Sequence, residues 1–316
     1  VDSFINPYYI DIIVFLFIYI ILGLGLNLIT GYAGQVSLGH AAFYGIGAYT
    51  SAILTVKFGV NTWLAIFLAI VITFILSAIL GLPSLRVSED FLAITTLGLG
   101  LIIQSIFKNA EITGGAYGLD MIPAPSLFGL EIIDLSYLGL VLVMLLLAIF
   151  IMKRMTQSRI GRAWMTIHED ETVAQSMGIN TTYYKVLAFA IGGAFAGAAG
   201  ALFAHKVSYI SADSFGFTLS ATILSMVVLG GLGKIRGTIL GVSLLYLLPE
   251  LFRVFDIQLF DMKYLDLYKM MLYGMIMVLV MRYRPKGIFG NTSLKKRKKN
   301  RSSAKKKELR DGEIIA

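Results

Sequence analysis

Cysteine is absent from the 316 residues, which excludes disulfides, thiolate metal sites and cysteine nucleophiles. Histidine is nearly absent: His40, His168 and His205 are the three, and no two stand at a metal-ligand spacing. Neither a metal nor any other cofactor is expected. Charge is scarce too, at 15% against about a quarter in a soluble domain. No cluster of His, Asp and Glu marks catalysis at a membrane face. No glycine loop of phosphate-binding spacing precedes a Lys and a Ser/Thr, since GLGKIRG has the residues but not the spacing. ATP binding by that route is excluded, and the chain does not read as an enzyme.

What is present is apolar: 57% hydrophobic residues and a mean hydropathy of +0.78. That composition predicts an all-α polytopic membrane protein. A crossing needs about 20 apolar residues. About nine stretches approach that length, at 8–29, 37–56, 63–82, 91–107, 135–152, 183–204, 217–232, 238–252 and 264–281. One membrane domain is expected over 1–290, with a loop at 156–182, followed by a basic tail over 291–316. The first residues, with Asp2 and no basic run, do not read as a cleavable leader. Val stands at position 1, and an upstream helix is left open.

The net charge of +8 is uneven. Residues 282–316 hold thirteen Lys/Arg against three Asp/Glu, and the rest holds fourteen against sixteen. The run Lys295–Lys307 (KKRKKNRSSAKKK), set after a final apolar stretch, reads as an anchor to anionic lipid on the positive-inside rule rather than a nucleic-acid site. Lys153, Arg154, Arg159 and Arg162 place 156–182 on the cytoplasmic side by the same rule. An even number of spans then brings the tail to that side, and 109–134 falls outside.

One stretch does not read as an ordinary span. NLITGYAGQVSLGHAAFYGIGAYTSA, from Asn27 to Ala52, interleaves amides, hydroxyls and an imidazole with five glycines. Broken backbone at membrane depth survives where it is buried in protein or lines a wet cavity. Transporters set such segments along the substrate path. Tight helix packing through small residues is the plainer alternative. The amide of Gln35 and the imidazole of His40 weigh toward a polar path, because each is costly facing lipid without a partner. Asn27, Gln35, Ser37, His40 and Tyr44 are the candidate path residues. By contrast, GAFAG (193–197) and GTILG (237–241) read as packing motifs. In the loop GRAWMTIHEDETVAQSMGINTTYYK, the acidic group Glu169, Asp170 and Glu171 precedes a short helix with Ala174, Met177 and Gly178 on one face. An acidic amphipathic helix on a basic membrane face suits a protein groove better than lipid.

Three stretches together resemble the permease subunits of branched-chain amino-acid ABC importers: residues 25–54, residues 161–241 and the closing RYRPKGIFG of 282–290. The likeness covers most of 20–290 and is nearest the larger of the two homologous permeases of such importers. Permeases for urea and short amides share much of the pattern. The resemblance implies two ATP-binding subunits, a homologous second permease and an extracytoplasmic solute-binding protein as partners, and no nucleic acid. It makes the 156–182 loop the coupling helix that enters a groove of the ATPase. The family's loop pattern is Glu-Ala-Ala, three residues, then Gly. Ala174 and Gly178 match it, while Thr172 and Val173 fill the first two places and Glu171 stands one place upstream. Glu169, Asp170, Glu171, Ala174 and Gly178 are the residues expected at that contact. A stand-alone channel for a small neutral solute is the rival from outside the family, and it has no need of an acidic docking helix.

Overall fold

A membrane interior offers a backbone no water to bond to, so each apolar stretch must close its own hydrogen bonds as helix. The computed structural model describes residues 7–84, 89–127, 130–254, 274, 275 and 282. Its helices are α1 (Pro7–Leu26), α2 (His40–Val56), α3 (Thr62–Ser84), α4 (Glu89–Asn109), α5 (Asp134–Gln157), α6 (Arg159–Glu169), α7 (Glu171–Ser176), α8 (Thr181–Val207), α9 (Phe217–Gly230) and α10 (Ile235–Val254). Among the described residues, six segments are long and apolar enough to cross a membrane: α1 with the turn after it, α3, α4, α5, α8, and α9 with the turn before it. Of the about nine expected spans, six meet that standard among the described residues. Eight of the nine stretches do fall on helices, but α2 has only 17 residues, about 25 Å of rise against a hydrocarbon thickness of about 30 Å. The stretch 264–281, apart from 274 and 275, and the tail 291–316 lie outside the described residues.

The fold is organised around α8, whose stretch 188–204 is mostly Gly and Ala. The side chains that α8 lacks let neighbouring backbones reach it. A methyl group at Gly47 of α2 would overlap the backbone of Gly197, and one at Gly200 would overlap the Tyr44 carbonyl. On α3, Ser77 donates to the Ala190 carbonyl (3.3 Å). The packing reading of GAFAG therefore holds, and GTILG does the same work for α9, since Gly237 and Gly241 abut Gly230. Asn180 caps α8 by accepting from the Tyr183 amide (3.0 Å), and Ser208 closes it at φ 60°. The cation of its last turn, Lys206, suits the negative helix end and pairs with Asp11 of α1 (2.6 Å).

The chain's alternating direction gathers its loops at two ends. At one, the 110–133 loop is zipped to the α8–α9 connection: Leu119 and Ile210 exchange backbone bonds of 2.9 Å each. That loop holds short 3-10 turns and a two-residue hairpin, Ser126–Leu127 against Leu130–Glu131. At the other end lie α6, α7 and the basic cluster that precedes them.

Candidate functional site

α1 does not end cleanly. It loosens into a π-helix over Asn27–Tyr32, and the Ala33 amide donates five residues back to Leu28 (3.1 Å). The Gln35 amide reaches Ile29 (3.0 Å), and the Thr30 hydroxyl donates to the Gln35 carbonyl (3.1 Å). A non-helical passage of seven residues then leads to His40, where α2 starts. This passage is mostly buried in the bundle, and its backbone groups need partners from elsewhere. Distant elements supply them. The Leu38 amide donates to Thr96 Oγ1 of α4 (3.0 Å), and the Ala41 amide to Ser220 Oγ of α9 (2.9 Å). Asn27 Oδ1 accepts from the Gly233 amide in the α9–α10 turn (2.9 Å). His40 Nε2 donates to the Leu22 carbonyl (3.1 Å), which leaves Nδ1 over.

The segment is thus held in place yet not fully satisfied. Among the described residues, the buried side-chain polar atoms without a partner are Asn27 Nδ2, Gln35 Oε1, Ser37 Oγ, His40 Nδ1, Tyr44 OH and Tyr49 OH. All six belong to residues 27–49. A buried polar atom left unpaired costs about 1–3 kcal/mol. Six of them in one stretch are a concentration that packing alone does not call for. All five candidate path residues are buried, but they do not share one pocket. Asn27 reaches the α9–α10 turn. Ser37 lines a cavity of about 10 Å³ with Gly39, Phe43, Leu80, Thr96, Leu99, Gly100, Ile103 and Phe189. Tyr44 stands between Phe203 and Phe215, at ring distances of 5.4 and 5.5 Å. Tyr49, stacked on Phe107 at 4.4 Å, joins the group. Thr96 and Ser220, which hold the broken passage, carried no mark in the sequence, because single hydroxyls in apolar helices commonly bond their own backbone.

The 156–182 loop is two helices meeting at a corner. Ser158 caps α6 by accepting from the Ile160 amide (3.2 Å), and Asp170 ends it and caps α7 through the Val173 amide (3.1 Å). Gly178 follows at φ +78°, a conformation that glycine adopts without strain. The inner face of α6 carries Trp164, which is fully buried and donates to the Tyr184 carbonyl of α8 (2.7 Å). Two of the residues expected at the ATPase contact are engaged within the chain. Ala174 is fully buried against its own chain, so it does not stand on an outward surface. Glu171 is paired with Lys185 of α8 (2.7 Å), both partly buried, instead of standing free at a rim. Facing outward are Glu169, Asp170, Val173, Met177 and Gly178, with Met177 70% exposed. At the α6 end, the His168 ring lies against Gly34, where an added methyl would come within 3.1 Å of it. The loop therefore touches the broken segment directly.

A family model described as branched-chain amino acid transport system / permease component matches residues 8–281. The chain is 39% identical over 310 residues to a Salmonella typhimurium protein, the high-affinity branched-chain amino acid transport system permease protein LivM, covering 90% of this chain and 70% of that one. It is 38% identical over 318 residues to the Escherichia coli protein of the same name, covering 92% and 72%. It is 27% identical over 306 residues to the Escherichia coli permease LivH, covering 88% and 93%. No solved structure matches significantly.

Proposed function

The chain belongs to the branched-chain amino acid transport permease family, and we propose that it is the membrane permease subunit of an ATP-driven importer for branched-chain amino acids. The observation that carries this beyond family membership is the concentration of unpaired buried polar atoms in residues 27–49, inside an otherwise apolar bundle. A branched-chain amino acid is charged at one end and apolar at the other. A path for it needs spare hydrogen-bonding groups beside apolar walls, and the start of α2 has both. Hydrolysis belongs to two ATP-binding subunits, with a homologous permease as the second half of the path and an extracytoplasmic binding protein delivering the solute. The chain alternates access by shifts between packed helices, biased by nucleotide state.

The end bearing α6 and α7 is the cytoplasmic one, on the Lys153, Arg154, Arg159 and Arg162 cluster. There the ATPase would meet Val173 and Met177, flanked by Glu169 and Asp170. Exposed apolar side chains ringed by acid suit a protein groove. The contact of His168 with Gly34 offers a short route from that surface to the broken segment.

Uptake by a deletion strain carrying the whole system tests the reading, with leucine, urea and acetamide as solutes. Leucine uptake that depends on ATP supports it. Uptake of urea or acetamide instead moves the chain to the amide permeases of the same family. Leucine crossing with no ATPase bound makes it a passive channel. Met177→Asp, at an exposed site, should abolish ATPase co-purification while the protein still inserts.

A further inference from the structure

Four amides begin α2, and helix starts leave such amides without intrahelical acceptors. Two are accounted for: Ala41 donates to Ser220 Oγ, and Ala42 to the Gly39 carbonyl. Gly39 supplies no side-chain cap. The amides of Gly39 and His40 have no acceptor among the described residues. Beside them Ser37 is wholly buried, and its hydroxyl has no partner either. Ser37 and Gly39 line one cavity together, and its other walls are mainly Phe43, Leu80, Leu99, Ile103 and Phe189. The cavity therefore abuts the unpaired Ser37 hydroxyl and Gly39, the residue before the positive end of the α2 dipole, with His40 next in the chain. The rest of the lining is mainly branched aliphatic and aromatic.

The space is small, at about 10 Å³, room for roughly one water. The wall that closes it is α4, which meets the start of α2 closely at Gly39 and Gly100 and leaves a small void on either side of that contact. A second cavity of about 10 Å³ lies across Gly100 from the first, lined in part by Leu38, Ala42, Leu97 and Ser220. The seam between α4 and the start of α2 is thus underpacked on both sides of Gly100, where protein interiors usually leave few voids. The hydrogen bond across this seam is the one from the Leu38 amide to Thr96 Oγ1.

We infer that the start of α2 is the subsite for the α-carboxylate of the transported amino acid. Ser37 Oγ and the amides of Gly39 and His40 receive the carboxylate, the apolar wall receives the side chain, and α4 lifts away from Thr96 to admit them. Helix N-termini bind carboxylates by dipole and free amides together. The inference rests on the permease reading above and adds to it the atom group recognised and the residues that recognise it.

The whole importer, reconstituted with its binding protein and ATPases, provides the test. Ser37→Ala should lower the maximal rate of leucine uptake on the order of tenfold, the scale of one hydrogen bond to a charged group, with assembly and ATPase co-purification unchanged. Because this chain has no cysteine, Ser37→Cys gives it a single thiol. During turnover that thiol should react with a small thiosulfonate reagent. Leucine should protect it and leucinamide, which lacks the carboxylate, should not. Protection by leucinamide equal to that by leucine would overturn the carboxylate assignment. So would a thiol that never reacts while leucine is transported, or a Ser37→Ala rate equal to wild type. If the unmodified importer moves no leucine at all, the permease reading fails instead, and the two failures are told apart by that control.

Discussion

His40 and His205 are both buried, and both link α2 or its start to the rest of the bundle, yet they are built to opposite ends. His205 spends both ring nitrogens: Nδ1 donates to the Pro123 carbonyl and Nε2 accepts from Ser51 Oγ, each at 2.7 Å. It ties α8, α2 and the 110–133 loop into one closed knot. His40 spends one nitrogen on Leu22 and keeps the other free. The difference extends to their surroundings. Around His205 the two loops of that end are zipped by backbone bonds, while around His40 lie an unpaired serine, unpaired amides and small voids. A satisfied polar group fastens helices. An unsatisfied one, kept in an apolar interior at a cost, is capacity for something that comes and goes.

The sharpest way to break the contrast is to remove the space at the open end. Gly39→Leu would drive a side chain into the Thr96 carbonyl and jam α4 against α2. Leucine uptake should fall below detection, and overpacking of about 1–3 kcal/mol or more should lower the melting temperature of the detergent-solubilised protein. Wild-type uptake would mean that α4 adjusts freely and that the seam is no gate.

Next in size are the two histidines themselves. His205→Leu leaves the Ser51 hydroxyl and the Pro123 carbonyl unpaired, at about 1–3 kcal/mol each. It should chiefly lower the amount of folded protein and its melting temperature, with the surviving fraction still active. His40→Leu costs only one bond, to a carbonyl that already takes a helix bond. It should leave melting nearly unchanged and cut uptake roughly tenfold, the scale of a bond donated by the solute's ammonium to the Nδ1 lone pair. Thermal melts and uptake per assembled molecule, measured on both variants, decide it. If the two variants lose stability and activity in the same proportion, the distinction between knot and site is false.

Much of this was legible in residue order, and the illegible part has a common cause. Polar residues among glycines at 27–52 announced a break, and the stretches that became α1 to α5 and α8 to α10 stood out by length and apolarity. Packing through GAFAG was readable because small residues at four-residue spacing share a helix face. What was not readable was pairing over long separations. Thr96 and Ser220 gain their roles from Leu38 and Ala41, which lie 58 and 179 residues away. The same blindness hid the engagement of Ala174 and Glu171 within the chain. A face is defined by what it packs against, and α8, whose Lys185 claims Glu171, begins only at Thr181. The shortness of α2 also escaped a span count, since 37–56 has the length of a crossing before its first three residues are known to be non-helical.

The smallest expected effect tests whether the loop follows the same division between fastening and spare capacity. Glu171 and Lys185 make a contact of 2.7 Å with both side chains partly exposed, so solvent screens the pair and its worth is about 1 kcal/mol or less. Its effect on melting should be slight. Its position matters more, because it joins α7 to α8, the helix on which α2 and α3 pack. Glu171→Lys sets two cations together and should reduce uptake a few-fold, with the loss milder at high salt. Adding Lys185→Glu to it restores an opposite pair in reversed order. If Glu171 serves as a fastening within this chain, the double variant recovers most of the lost uptake. If Glu171 instead meets a basic group on the ATPase, reversing Lys185 does nothing for that contact, and the double variant stays as impaired as Glu171→Lys alone. Comparing uptake and ATPase co-purification of the single and double variants across a salt series separates the two, and failure of the double variant to recover would return Glu171 to the docking surface and leave α7 tied to α8 by Ala174 and its neighbours alone.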